Sequence, residues 1–236
     1  MVLSELRTML TELLSFDLDN VKGESPTDVE LDGQINEAQS FASRETFLFD
    51  PKVPWTIKKD VSRYNLHDLT VMEKRIVRPY WATINGNKLY NARRDDYGIW
   101  TYGEFIDDHQ TWEDDSSGTP TKVVLYNAAN VILHLAPTAT VVSTGKNYLA
   151  GHVLANDMTA DDHSPEGFPE DMHEAIAFRA AWKAAIPQVT EAEGWRRLAE
   201  YERQWKEPLK ELRNQNKRLF NKGSRSGEYN ATYIEA

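Results

Sequence analysis

The chain has 236 residues, 40% of them hydrophobic and 11% aromatic, the composition of a protein with a sizeable buried core rather than a disordered one. It contains no cysteine, which excludes disulfides, thiolate metal sites and cysteine nucleophiles. The formal net charge of −10 argues against a tight grip on DNA phosphates.

At the N-terminus, Met1–Arg7 lacks the basic region and the uninterrupted apolar core of a signal peptide, and no run in the chain approaches the roughly 18 to 20 apolar residues of a membrane span. Ser4 is placed to cap a first helix with Leu6, Leu10, Leu13 and Leu14 on one face. A polar loop follows over Ser15–Ser25. Its Asp17-Leu18-Asp19-Asn20 has the oxygen ligands that calcium favours, but not the EF-hand spacing or terminal glutamate. Thr27-Asp28-Val29-Glu30 has the spacing of a capping box, and the helix it opens presents Leu31, Ile35, Ala38 and Ala42. Gly33 inside that helix costs about 1 kcal/mol relative to alanine, so a closely packed neighbour is expected there.

From Phe47 to about Asp162, prolines interrupt clusters of β-branched and aromatic residues. Expected strands are Val53–Ile57, Lys74–Trp81, Asn87–Ala92, Ile99–Phe105, Thr121–Tyr126, Val131–Leu135 and Ala139–Ser143, with Asn85-Gly86 as a hairpin turn. With no helix expected between strands, the sheet should be antiparallel. The run Asp107–Ser117 crowds five carboxylates into a protruding acidic and aromatic loop.

Pro169 suits a first helical position, with Glu170, Asp171 and Glu174 near the positive end of the dipole. The alanine-rich run Ala175–Ala185 should be helical up to Ile186-Pro187. Thr190-Glu191-Ala192-Glu193 reads as a second capping box. After it, Leu198, Trp205, Leu212 and Leu219 recur every seven residues, with Tyr201 and Leu209 on the same face. The two helices should form an antiparallel hairpin, and Pro208 should kink the second or split it. Residues Asn221–Ala236 have too little apolar surface to order alone, and from Lys217 onward basic residues outnumber acidic ones four to two.

No constellation points to catalysis. Asp157, Asp161, Asp162 and His163 fit no common metal-ligand spacing, and the six histidines form no helical i, i+4 pair. Neither a phosphate-binding loop nor a Gly-x-Ser-x-Gly elbow occurs. The reading is therefore no enzyme, no metal and no cofactor. An alternative is a carbohydrate-binding module or glycoside hydrolase. Asp107, Asp108, Glu113 and Asp114 would supply its carboxylates, and Trp100, Tyr102 and Trp112 its sugar platforms.

Four motifs in order carry a resemblance: Asn36-Glu37-Ala38-Gln39; Gly118-Thr119-Pro120; Leu133-His134-Leu135-Ala136-Pro137; and Pro169–Ile176 followed by Glu193–Glu202. Together they resemble the tailed-bacteriophage head-to-tail adaptor (connector) family. The resemblance implies an α+β fold in which N-terminal helices (1–46) and C-terminal helices (163–220) build a bundle. An antiparallel β domain (47–162) is inserted, and an extended C-terminal arm (221–236) follows. It implies a structural virion protein, made in the host cytoplasm, that sits at the capsid portal vertex. There a dodecameric ring of copies would link the portal protein ring to a downstream tail or nozzle protein, and DNA would pass without specific binding. The arm and its approach would contact the portal through Lys217, Arg218, Phe220, Lys222, Arg225, Tyr229, Tyr233 and Ile234.

Overall fold

A computed structural model describes residues 1–18, 26–70, 72–91, 96–108, 117–127, 132–142 and 145–226. It is a mixed α+β protein with antiparallel sheets, in which the described residues form helices α1 (Leu3–Leu18), α2 (Asp28–Thr46), α3 (Tyr102–Asp108), α4 (His173–Ala185) and α5 (Ala192–Ser226). The chain divides into two units. One joins Met1–Leu48 to Ala155–Glu228, and the other is built on Phe49–Leu154.

In the helical unit, α1 is capped by Val2 rather than Ser4. The Leu6 N–H donates to the Val2 carbonyl at 3.0 Å, and Glu5 reaches back to accept from the Val2 N–H at 2.9 Å. Ser4 lies inside the helix and its hydroxyl donates to the Asp161 carbonyl at 3.1 Å. α2 opens with the expected capping box: Glu30 Oε2 accepts from the Thr27 N–H at 2.8 Å, and Thr27 Oγ1 accepts from the Glu30 N–H at 3.4 Å. It ends at Phe47, which takes a left-handed φ of 54°. Pro169 stands before the 3-10 turn Glu170–Met172 that leads into α4, one step outside its expected place. The first i, i−4 bond of α5 runs from Trp195 to Glu191, one residue beyond Thr190.

These helices share one core of Leu3, Leu6 and Leu10, then Leu31, Ile35 and Ala38, the α4 alanines Ala177 and Ala181, and Leu198, Tyr201, Trp205, Leu209 and Leu212. Small side chains along α4 let its neighbours approach closely. Along α2, Glu37 and Phe41 meet Lys183 and Arg179 of α4 in descending order, whereas Phe41, Glu45 and Phe47 meet Trp205, Arg213 and Lys217 of α5 in ascending order. α4 and α5 therefore run in opposite senses, as the expected hairpin requires, with Phe178 against Tyr201 and Trp182 against Trp205 between them. The expected split at Pro208 is absent, since α5 runs for 35 residues with Pro208 inside it. The proline forfeits one backbone bond, but Trp205, Leu209 and Leu212 around it are buried and hold the helix to the core. Gly33 has nothing within 4 Å of where a Cβ would lie, so no close neighbour explains it.

Asn36 and Gln39 bind the returning chain. The Asn36 amide donates to the Met158 carbonyl at 3.0 Å and accepts from the Met158 N–H at 2.8 Å. Gln39 donates to the Asn156 carbonyl at 2.6 Å, and Ser43 Oγ accepts from the Ala155 N–H at 3.2 Å. Arg7 joins three segments, with Nη2 donating to Asp32 at 2.8 Å and Nη1 to Asp161 at 2.6 Å. These carboxylates, Asp32 first, raise the guanidinium pKa further above its ordinary value.

The β unit holds strands β1 (Phe49–Pro54), β2 (Arg63–Asn65), β3 (Ile76–Ile84), β4 (Asn87–Lys88), β5 (Tyr90–Asn91), β6 (Asp96–Tyr97), β7 (Trp100–Thr101), β8 (Lys122–Asn127), β9 (Ile132–Ala136) and β10 (Tyr148–Val153). One sheet has the order β1-β10-β3-β4, a second β2-β9-β8-β7, and β5 pairs with β6. The prolines of β1 are tolerated because it is an edge strand. Asn85 (φ 52°) and Gly86 (φ 83°) close the β3–β4 hairpin as expected. The expected strand Ile99–Phe105 becomes β7 and α3, because Glu104 accepts from the Thr101 N–H at 2.9 Å and Thr101 Oγ1 accepts from the Glu104 N–H at 3.4 Å. This reciprocal cap starts a helix. With α3 between them in sequence, β7 and β8 pair in parallel, an exception to the antiparallel expectation. No strand forms at 139–142; Ala139 makes a single bridge to Gly118, and Val141 and Val142 are exposed.

Candidate docking site on the C-terminal helix

The buried seam of α5 is Leu198, Tyr201, Trp205, Leu209 and Leu212, spaced by three or four residues as one helical face requires. Past Leu212 the helix is clamped to the end of α2. Arg213 and Lys217 place their cations 4.9 and 5.4 Å from the Phe47 ring centroid, and Arg213 Nη1 lies 3.6 Å from Glu45. Asn216 donates to the Thr46 carbonyl at 2.9 Å. Lys217 is the last such anchor among the described side chains. From there the helix continues nine more residues to Ser226, about 14 Å at 1.5 Å per residue.

The expected portal-contact residues divide accordingly. Lys217 is engaged on Phe47, whereas Arg218 is exposed. Phe220, Lys222 and Arg225 lie on the helical backbone beyond them. Arg218, Lys222 and Arg225 stand at i, i+4 and i+7, so they occupy one face of α5. Tyr229, Tyr233 and Ile234 lie outside the described residues. The extended arm expected from Asn221 is corrected over its first part: Asn221–Ser226 are helical. Arg225 stands in the last turn and Lys222 just before it, positions at which a cation favours helix because of the negative end of the dipole.

The other constellations fall partly within the described residues. Asp161 accepts from Arg7, and His163 Nδ1 accepts from the Thr159 N–H at 3.2 Å. No group of three His, Asp or Glu residues that could hold a metal ion occurs among the described residues. Trp100 is buried with Phe105, Val124 and Ala136, so it cannot serve as a sugar platform. Tyr102 is exposed, with its ring edge-on to Tyr126 at 4.9 Å. Asp107 and Asp108 end α3, while Trp112, Glu113 and Asp114 fall outside the described residues, as do Asp19 and Asn20. Burial first, and Arg78 second, push His152 in the β unit down to about 4.

One cation was not anticipated. Arg179, in the alanine-rich helix α4, lies among the rings of Phe41, Trp182 and Trp205. The only sequence signal was an arginine between aromatics at Phe178 and Trp182, and the ring from α2 could not be read locally.

No known protein-family model matches the sequence, and comparison with curated proteins gives no match. Among the described residues, no helix is long and apolar enough to cross a membrane.

Proposed function

We propose that this chain is a structural virion protein, a head-to-tail adaptor that docks on the capsid portal ring and links it to a downstream tail or nozzle protein. In this reading the helical unit is the assembling bundle, the β unit is an insertion, and a dodecameric ring of copies forms on the portal. The observation that carries the reading is α5, which continues as helix for nine residues past Lys217, the last anchor among the described side chains, with basic residues in excess. Motif order supports it from the sequence side. The excess of acid over base, 37 residues against 27, suits a channel wall that DNA crosses without sticking.

The portal contact is assigned to Arg218, Phe220, Lys222 and Arg225 on the helix, continued by Tyr229, Tyr233 and Ile234, with Lys217 at its root. Deleting Asn221–Ala236 tests this directly. The truncated protein should keep its melting temperature within about 2 °C, because the deleted sequence has too little apolar surface to add much to a core. It should fail to co-sediment with purified portal rings. Wild-type binding by the truncated protein would move the docking surface elsewhere, and failure of the intact protein to bind would refute the adaptor reading.

A further inference from the structure

Arg179 is half-buried on α4, its guanidinium carbon 4.4, 4.8 and 5.1 Å from the ring centroids of Phe41, Trp182 and Trp205. Its Nε and Nη1 are shielded from solvent and have no acceptor, and Gln34 Oε1 is likewise shielded without a donor. All three atoms belong to residues lining one recess between α2 and α4, completed by Glu37, Ala38, Ala180 and Lys183. Glu37 and Lys183 form an ion pair with each other, so Arg179 leaves the recess with a net positive charge. The cavity volume is about 10 Å³, room for one water-sized group. A free metabolite does not fit. A water molecule does, and so does the tip of a side chain entering from outside. A guanidinium pinned by π-faces on its flanks offers its N–H edge, the geometry that a carboxylate matches best.

We propose that this recess is the acceptor half of a contact between copies of this chain, filled by the carboxylate of an aspartate or glutamate from a neighbouring protomer. The proposal rests on the ring-forming reading above. Charge complementarity names the occupant: the chain carries ten more acidic than basic residues, so a second copy presents carboxylates in excess. A shielded guanidinium without an acceptor is a site left incomplete in the single chain.

The test is sedimentation equilibrium of the full chain at about 0.15 M salt, up to about 1 mM protein. It compares wild type with Arg179→Met, which keeps the stem against the rings, and Arg179→Lys, which keeps only the charge. Wild type should self-associate weakly. Arg179→Met should weaken the association by about thirtyfold or more, and Arg179→Lys by less. Replacing chloride with acetate should weaken wild-type association by competing for the guanidinium, a readout that needs no variant to fold. Strictly monomeric wild type would overturn the proposal. So would Arg179→Met associating like wild type, or indifference to acetate; in either case the recess holds only water. None of these results bears on portal docking, which is read separately from binding of the intact protein to portal rings.

Discussion

Gly151 is the residue on which the first sheet depends most sharply. It lies in β10, between β1 and β3, and faces Pro79 of β3. Proline cannot donate to the ladder, and the register shifts there: Ala150 pairs with Trp81 and Gly151 with Pro79, leaving Tyr80 as an extra residue. A side chain on Gly151 would enter that bulge. Its Cβ would lie 2.5 Å from the Arg78 carbonyl oxygen, 2.9 Å from Ile76 Cγ2 and 3.0 Å from Pro79 Cα. Two of these three neighbours are backbone atoms that cannot rotate away. Overpacking costs about 1 to 3 kcal/mol, and backbone contacts of this closeness place Gly151→Ala at the upper end. For a unit of about 100 residues, about 3 kcal/mol lowers the melting temperature by roughly 12 to 24 °C. Thermal unfolding should be followed alongside hydrogen exchange of the Leu149 and Ala150 amides, so that the loss is located in the β unit. Gly33→Ala is the control, since nothing lies within 4 Å of its Cβ position. In a helix interior that change should stabilise by about 0.5 to 1 kcal/mol. A Gly151→Ala protein that melts within about 0.5 kcal/mol of wild type would refute the reasoning.

Pro208→Ala should stabilise the helical unit by up to about 3 kcal/mol, because α5 already runs through this position and alanine restores the bond to the Gln204 carbonyl; a lower melting temperature would show that α5 relies on a proline bend. Thr27→Ala removes the hydroxyl half of the α2 capping box and should cost about 1 kcal/mol, read by urea denaturation, with no change in the urea slope. His152, held near 4 against an ordinary 6.5, stays neutral in the folded β unit at pH values where the unfolded chain binds a proton. Its contribution is therefore intact above pH 6.5 and is lost as pH falls toward 4. NMR titration of the ring should show a midpoint near 4, and a midpoint at the ordinary value would end the argument.

Local chemistry made the helical unit legible. The Thr27–Glu30 box and the seven-residue spacing of Leu198, Trp205 and Leu212 each state a cap or a buried face within a few residues. The β unit was less legible, for identifiable reasons. β10 pairs with both β1 and β3, yet its centre is Ala150-Gly151, residues of low strand propensity chosen for close backbone approach. α3 was concealed because the aromatic and β-branched residues around it suggest strand, while the Thr101–Glu104 cap that starts it has the same spacing as the one recognised at Thr27. At Pro208 the expected split does not occur. The proline's local cost is real, but burial on both sides outweighs it. The aromatic surround of Arg179 depends on residues far apart in sequence, so no window of the chain contains it.

The length of α5 bears on how docking could work. A helix without tertiary packing is marginal in water, since propagation gains little per residue and nucleation is costly. The last nine residues of α5 need no nucleus, because they continue a helix already fixed by Leu209, Leu212 and the clamp on Phe47. Propagation then depends on their own helix preference and on the cations at the negative end of the dipole. A partner that packs on this stretch would meet a backbone that is already helical, and would avoid most of the roughly 1 to 2 kcal/mol per residue that ordering a free backbone costs. The proposed docking site, expected as one extended arm, thus begins on a helix. Replacing Lys222 and Arg225 by glutamate should slow association with portal rings and make it less sensitive to salt, since these residues act by steering. Replacing Tyr229 and Tyr233 by alanine should instead speed dissociation, because aromatic anchors act after contact. Equal effects of both pairs on the dissociation rate would mean that the helical and terminal parts bind as a single flexible segment.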